Sequence, residues 1–313
     1  MPIGLGLAAS HAPNVFIAPE DWDTRYKAAI DDVPQPLKAK EETLEVRRAY
    51  AQRIESSFTI LRQKFEAYRP DALIMVSDDH SEMFDEFRCN PSLAMFIGKR
   101  GKGVLALRRG ETLDDPNAKT ITIACHEELS EFIASGLVRH DFDLTVSRQE
   151  ETRSIGSPNI GMGHGFSRIS PKLMANRSVP AVLIWLNCYY EPLPTARRCL
   201  ALGRALADIL KDRPERIAIV GTGGLSHDPR GPRAGWIDEP LDRAVLQAFA
   251  EGDPDRLSVL YQLNSDTYHG GTGEIRNWLV AGAAMGNVKA SIVDYMPIHH
   301  AVTGIAFAYW EKD

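Results

Sequence analysis

Two hydrophobic rhythms run along the chain. Short, almost continuous apolar runs end abruptly in polar groups: IGLGLAAS before His11, ALIMV before Ser77, Asp78, Asp79 and His80, AVLIWLN at 181–187 and RIAIVG at 216–221. Runs of this length, closed by turn residues, are the pattern of strands covered on both faces. Further strands are expected at 92–97, 142–147, 288–294 and 303–309. Between them the spacing changes to three and four. Ala51, Ile54, Phe58, Leu61 and Phe65 mark one amphipathic helix over 36–68, and helices are expected at 125–136, 194–211, 239–250, 254–262 and 273–285. Residues 12–36 read as loop, while Asp253 before Pro254 and Thr272 before Glu274 look like helix starts.

Strands alternating with helices at this spacing predict an α/β fold: a mixed central sheet with helices on both faces and an active site at the strand ends. No repeat, low-complexity stretch or linker interrupts residues 1–313, so one catalytic domain is expected.

Composition narrows the class only by exclusion. At 44% apolar and 25% charged residues, the chain matches neither a disordered segment nor a coiled coil. Its 36 basic and 42 acidic residues are scattered and give a net charge of -6, which argues against nucleic acid. Neither a basic, apolar leader nor a bilayer-length apolar run is visible, so a cytoplasmic protein without membrane contact is expected. Cys89, Cys125, Cys188 and Cys199 lack any CxxC pairing and read as reduced thiols.

The chemistry is concentrated in histidines. Of nine, four lie where a strand or a glycine-rich turn ends: His11 in ASHAP, His80 in VSDDH, His164 in IGMGHGF and His227 in IVGTGGLSHDP. A histidine there can project its ring into a cleft while the strand fixes its position. His11 and His80 would supply two imidazoles to a metal. Glu274, in GGTGEIRNW, is a candidate third ligand, although a glutamate in a first helical turn also serves the helix dipole. Two histidines and one carboxylate on separate segments form the facial set that suits iron(II) oxygenases, and zinc could use the same set. His227 and His164 are candidates for acid–base work. GTGG could cradle a phosphate, but the lysine and Ser/Thr of a P-loop are missing. Ser226 lacks a GxSxG elbow. The pair His299 and His300 reads as structural, with substrate contact as the alternative.

Taken in order, SHAP at His11, the strand and DDH at His80, GHG at His164, NCYYEPLPTARRC at 187–199, IAIVGTGGLSH at 217–227 and GEIRNW at Glu274 resemble the class III extradiol dioxygenases, the superfamily of the protocatechuate 4,5-dioxygenase β subunit. The resemblance covers nearly the whole chain and is most specific over 187–227. It implies an Fe(II) cofactor held by His11, His80 and Glu274, His227 as general base at a substrate hydroxyl, and His164 assisting proton transfer. It also implies dioxygen and a catechol-type aromatic (protocatechuate, gallate or a methoxylated catechol) as partners, and a homo-oligomer without a separate small subunit. A zinc-dependent hydrolase on a related scaffold and a non-catalytic partner subunit are the alternatives. The sequence departs from the β subunit in a longer segment between His11 and His80, and in Asp78 where asparagine is expected. That longer segment could cover the cleft or replace packing supplied elsewhere by a small α subunit.

Overall fold

The computed structural model describes residues 2–312 apart from 85–88, 106–111, 149–160 and 264. In chain order the elements are β1 (Ile3–Ala9), α1 (Trp22–Ile30), α2 (Leu37–Glu41), α3 (Leu44–Tyr68), β2 (Ala72–Ser77), β3 (Leu93–Phe96), β4 (Arg100–Val104), β5 (Thr120–Ala124), α4 (Glu127–Arg139) and β6 (Thr145–Ser147). There follow α5 (His164–Leu173), β7 (Ala181–Leu186), α6 (Ala196–Leu210), β8 (Ile217–Thr222), α7 (Glu239–Glu251), α8 (Ile275–Ala284), β9 (Ser291–Ile298) and β10 (Thr303–Glu311).

Eight strands form one mixed sheet in the order β6-β3-β7-β2-β8-β1-β10-β9. Its centre, β7-β2-β8-β1, is entirely parallel, and antiparallel pairs flank it at β3 and β10. β4 and β5 make a separate antiparallel ribbon. The central runs are apolar throughout because both faces are covered. On β2, Leu73 and Met75 join the core under α3 and α5, while Ile74 and Val76 join the core under α4, α6, α7 and α8. β8 divides in the same way, Ala218 and Val220 to one side and Ile217 and Ile219 to the other. This is the expected α/β architecture, and the four parallel strands deliver their carboxyl ends to one edge of the sheet.

The helix expected over 36–68 is broken in two. Glu42 leaves the helical path, and its carboxylate accepts from the backbone N–H groups of His299 and His300 at 2.7 and 2.8 Å. Thr43 then caps α3 by accepting from the amide of Val46 at 3.4 Å. α3 lies on the sheet, burying Ile54, Phe58, Leu61 and Phe65. The stretch read as loop at 12–36 contains α1, whose period is hidden because only Trp22 and Tyr26 are buried. α5 was not expected, since Gly161, Gly163, Gly165 and Pro171 carry turn chemistry. The segment at 254–262 forms a 3-10 helix over Pro254–Val259 in place of an α-helix. β9 begins later than expected, at Ser291. His299 and His300 are held structurally: His300 Nδ1 lies 2.7 Å from Glu42, with the ring stacked on Tyr26, and His299 Nδ1 faces the Gly235 carbonyl at 3.0 Å.

Phe58 ties α3 to the sheet through an edge-on contact with Phe307, ring centroids 4.9 Å apart. Phe58→Ala should therefore cost about 3–5 kcal/mol of folding stability, read as a lower denaturation midpoint in urea. A loss below about 1 kcal/mol would mean that α3 is not anchored there.

Candidate active site

Four strand ends converge on one buried cluster. β1 leads to His11, β2 to Asp78 and His80, β7 to Asn187 and Tyr189, and β8 to Thr222 and the turn that ends at His227. Glu274 enters from across the cluster, immediately before α8. His11, Asp78, His80 and Glu274 each offer a ligand atom, all within 4.8 Å of one another. His11, His80 and His164 form a second set by the same measure. His11 Nε2 lies 3.5 Å from Glu274 and 3.6 Å from Asp78, whereas His80 Nε2 lies 3.3 Å from Glu274 and 2.7 Å from Asp78.

Polar neighbours orient the rings. The Thr222 hydroxyl donates to Ser77 Oγ at 2.8 Å, so toward His11 it accepts, taking the Nδ1–H at 3.1 Å. That bond fixes the tautomer and turns the Nε2 lone pair into the cluster, where this atom is buried without a hydrogen-bond partner. Asp78 Oδ2 is buried as well and lies 2.7 Å from His80 Nε2. His227 donates from Nδ1 to the Leu225 carbonyl at 2.9 Å, which leaves its Nε2 facing Glu274 at 3.4 Å. The His164 ring stands edge-on to His11 and His80, with centroids 4.7 and 4.8 Å away, and its Nδ1 meets Glu82 at 2.7 Å.

Glu274 is the most constrained member, at 1% exposure. The Gly224 amide donates to Oε2 at 2.5 Å, and the Tyr189 hydroxyl donates to Oε1. Tyr189 also packs edge-on against His80, centroids 4.1 Å apart. Burial alone would push the Glu274 carboxyl up, but His227 and His11 beside it hold it well below the usual range. Burial opposes protonation of His80, yet Asp78 and Glu274 raise its pKa well above the ordinary value. For His227 too, Glu274 outweighs burial and raises the pKa. Burial wins at His164, whose pKa falls to about 4 in spite of Glu82.

The glycines of GTGG make room for this carboxylate. A Cβ at Gly223, whose φ is +97°, would stand 2.4 Å from Glu274 Oε2. A Cβ at Gly271 would come within 2.0 Å of His227 Nε2, so the second glycine-rich turn admits the other ring. Close packing around Glu274 and His227 thus accounts for both turns without a phosphate.

Two buried carboxylates against unpartnered imidazole nitrogen suit a divalent cation. Carboxylates removed from water need compensating positive charge, and a nitrogen lone pair with no donor in reach is what a metal ligand presents. His11, with its second nitrogen committed to Thr222, has the outer support usual for metal-binding histidines.

The family model for the catalytic LigB subunit of aromatic ring-opening dioxygenase matches residues 35–306. The chain belongs to this family. As a LigB-family ring-opening dioxygenase it is an enzyme, and the class III extradiol resemblance is borne out. It is 26% identical over 302 residues to the 2,3-dihydroxyphenylpropionate/2,3-dihydroxicinnamic acid 1,2-dioxygenase of Photorhabdus laumondii, covering 80% of this chain and 87% of that one. It is 33% identical over 189 residues to the gallate dioxygenase of Pseudomonas putida, covering 58% of this chain and 52% of that protein, so the match spans about half of the latter's length. Among solved structures, the uncharacterized protein JW3007 of Escherichia coli K12 superposes with a TM-score of 0.52 at 17% identity, over 80% of this chain and 90% of that one, a likeness of fold alone. No helix among the described residues of this LigB-family chain is long and apolar enough to cross a membrane.

All five residues singled out in the sequence, His11, His80, His164, His227 and Glu274, meet in this cluster. Four others were missed as participants. Asp78 stands in the sequence as a strand-end polar group and a departure from asparagine, Tyr189 lies within NCYYEP, and neither these nor Glu82 and Thr222 show a site role by spacing. The signal for Asp78 and Glu82 lay in DDHSE, three acidic residues around a strand-end histidine.

Thr222→Val removes the acceptor for His11 Nδ1 and keeps the volume. A divalent cation at this cluster should then bind about 10- to 100-fold more weakly, measured by equilibrium dialysis, with the circular dichroism spectrum unchanged. Unaltered affinity would remove His11 from the donor set.

Proposed function

We propose that this LigB-family enzyme is an iron(II)-dependent extradiol dioxygenase, which opens the ring of a catechol-type aromatic beside its two hydroxyls. His11, His80 and Glu274 would hold the iron, His227 would act as base at a substrate hydroxyl, and His164 would assist proton transfer. The observation that carries this reading is the convergence of two imidazoles and one carboxylate from distant segments, with His11 Nε2 buried and unpartnered among them. When bound, iron(II) supplies redox chemistry and adjacent open positions for substrate and dioxygen, as in other sites with two histidines and one carboxylate. The set His11, His80 and His164 is the less favoured holder, since it would leave the buried charge of Glu274 without a cation ligated to it.

The protein's own part is to fix geometry and handle protons. With Nδ1–H given to the Leu225 carbonyl, His227 keeps its Nε2 lone pair for the substrate hydroxyl proton. The Gly224 amide and the Tyr189 hydroxyl hold the two oxygens of Glu274 and so fix the plane of the carboxylate. His164, whose ring packs edge-on against His11 and His80 and whose Nδ1 is committed to Glu82, would receive or return a proton at Nε2 as the ring opens. Burial of His11, His164, His227 and Glu274 keeps bulk water away from these transfers.

The substrate is read as an aromatic acid with adjacent hydroxyls, because gallate and dihydroxyphenylpropionate in the relatives' names are of that class. Family membership speaks against the zinc hydrolase, and the completeness of the cluster speaks against a non-catalytic partner. We read residues 1–313 as one catalytic unit, supported by a sheet that pairs β1 with β10, and as a cytoplasmic enzyme working without a separate small subunit.

Anaerobic loading with iron(II), then exposure to oxygen with gallate, protocatechuate, 3-O-methylgallate or 2,3-dihydroxyphenylpropionate, should give a yellow ring-opened product from at least one of them. Activity with zinc in place of iron, or no product from any, would contradict the proposal. His227→Ala should retain iron while kcat falls about 100-fold or more. Loss of iron from that variant would make His227 a ligand and not the base.

A further inference from the structure

The loop that follows His80 is organised around one carboxylate. Asp79 accepts from the backbone amides of Glu82 and Met83 at 2.9 Å each and of Phe84 at 2.8 Å, which closes the chain into a tight turn with Ser81 at φ +63°. The turn carries Glu82 away from solvent, leaving it 4% exposed, and toward the first residue of α5. There a single oxygen, Oε1, accepts from both the backbone N–H of His164 at 3.0 Å and its ring Nδ1 at 2.7 Å.

A carboxylate that takes the main-chain and ring donors of one residue restrains the ring's rotation and its tautomer together. With Nδ1–H committed to Glu82, the lone pair must sit on Nε2 of a ring that packs edge-on against both His11 and His80. At 4% exposure the carboxylate has little access to solvent, and the two donors of His164 are what satisfy Oε1.

We infer that Glu82 is a positioning residue for His164, and that Asp79 is the brace that delivers it. The inference rests on the reading of His164 as a proton-transfer residue. A purely structural role is the competitor, since an acidic group at the start of α5 would also stabilise that helix. The two differ in what they move: a helix cap changes melting temperature, whereas a positioning residue changes the ring tautomer and kcat.

The test uses the full chain, zinc-loaded for spectroscopy and iron-loaded for kinetics, as wild type, Glu82→Ala, Glu82→Gln, His164→Ala and the double variant of Glu82→Ala with His164→Ala. In 15N NMR of histidine-labelled protein, the ring signals that vanish in His164→Ala should report Nδ1–H and a bare Nε2 in the wild type. Glu82→Ala should shift them to a tautomer mixture. Glu82→Gln, which keeps an oxygen acceptor, should restore the wild-type pattern and guards against a fold-level explanation. With gallate or 2,3-dihydroxyphenylpropionate, whichever is turned over, Glu82→Ala should lower kcat about 10- to 100-fold with KM little changed, and should cost nothing further in the His164→Ala background. An unchanged tautomer in Glu82→Ala, or additive losses in the double variant, would overturn the inference. If His164→Ala itself turns over at the wild-type rate, the reading of His164 falls, while the tautomer measurement still decides whether Glu82 holds the ring.

Discussion

A carboxylate buried as deeply as Glu274 has to be reconciled with the loss of its hydration, and the rest of the site follows from how that is done. An isolated ion in such a place costs several kcal/mol. Here one amide, one phenol and the nearby rings of His11, His80 and His227 surround it, with Asp78 adding a second buried negative charge. Hydrogen bonds satisfy part of the demand. The divalent cation proposed here would satisfy the remainder, so the same geometry reads as a metal centre and as a solution to an electrostatic problem.

Around that centre a rule repeats. His11 gives its Nδ1–H to Thr222, His227 to the Leu225 carbonyl and His164 to Glu82. The rings of His11 and His227 therefore turn Nε2 toward Glu274, and each partner belongs to a rigid or braced element. The central sheet makes this possible because four neighbouring parallel strands end together, and residues within a few positions of those ends stay close to the cluster. Stability and chemistry are joined at this point: the apolar alternation that seats β2 and β8 between two cores also sets the height at which Asp78, His80 and Thr222 emerge.

Much of this was legible from residues alone. Buried strands announce themselves by unbroken apolar runs, so β1, β2, β7 and β8 were placed, and with them the segments bearing His11, His80 and His227. Glu274 was harder, because a glutamate before a helix has an ordinary explanation, and only the collision a side chain at Gly223 would have with its carboxylate shows why it is there. Elements fixed by tertiary contact were missed. α1 buries too few residues to show a period, α5 begins among glycines, and the break before α3 exists because Glu42 serves a turn more than 250 positions away in the sequence. Glu82 and Tyr189 were invisible as site residues for the same reason, since their partners are distant in the chain.

The central claim is that one iron ion joins His11, His80 and Glu274. Anomalous diffraction at the iron edge, from crystals grown and loaded with iron(II) under nitrogen, tests it most directly. The account predicts a single strong peak within bonding distance of the Nε2 atoms of His11 and His80 and of a Glu274 oxygen, with His227 and His164 outside the coordination sphere. A peak bound by His164 in place of Glu274, or no peak in the cluster, would contradict it.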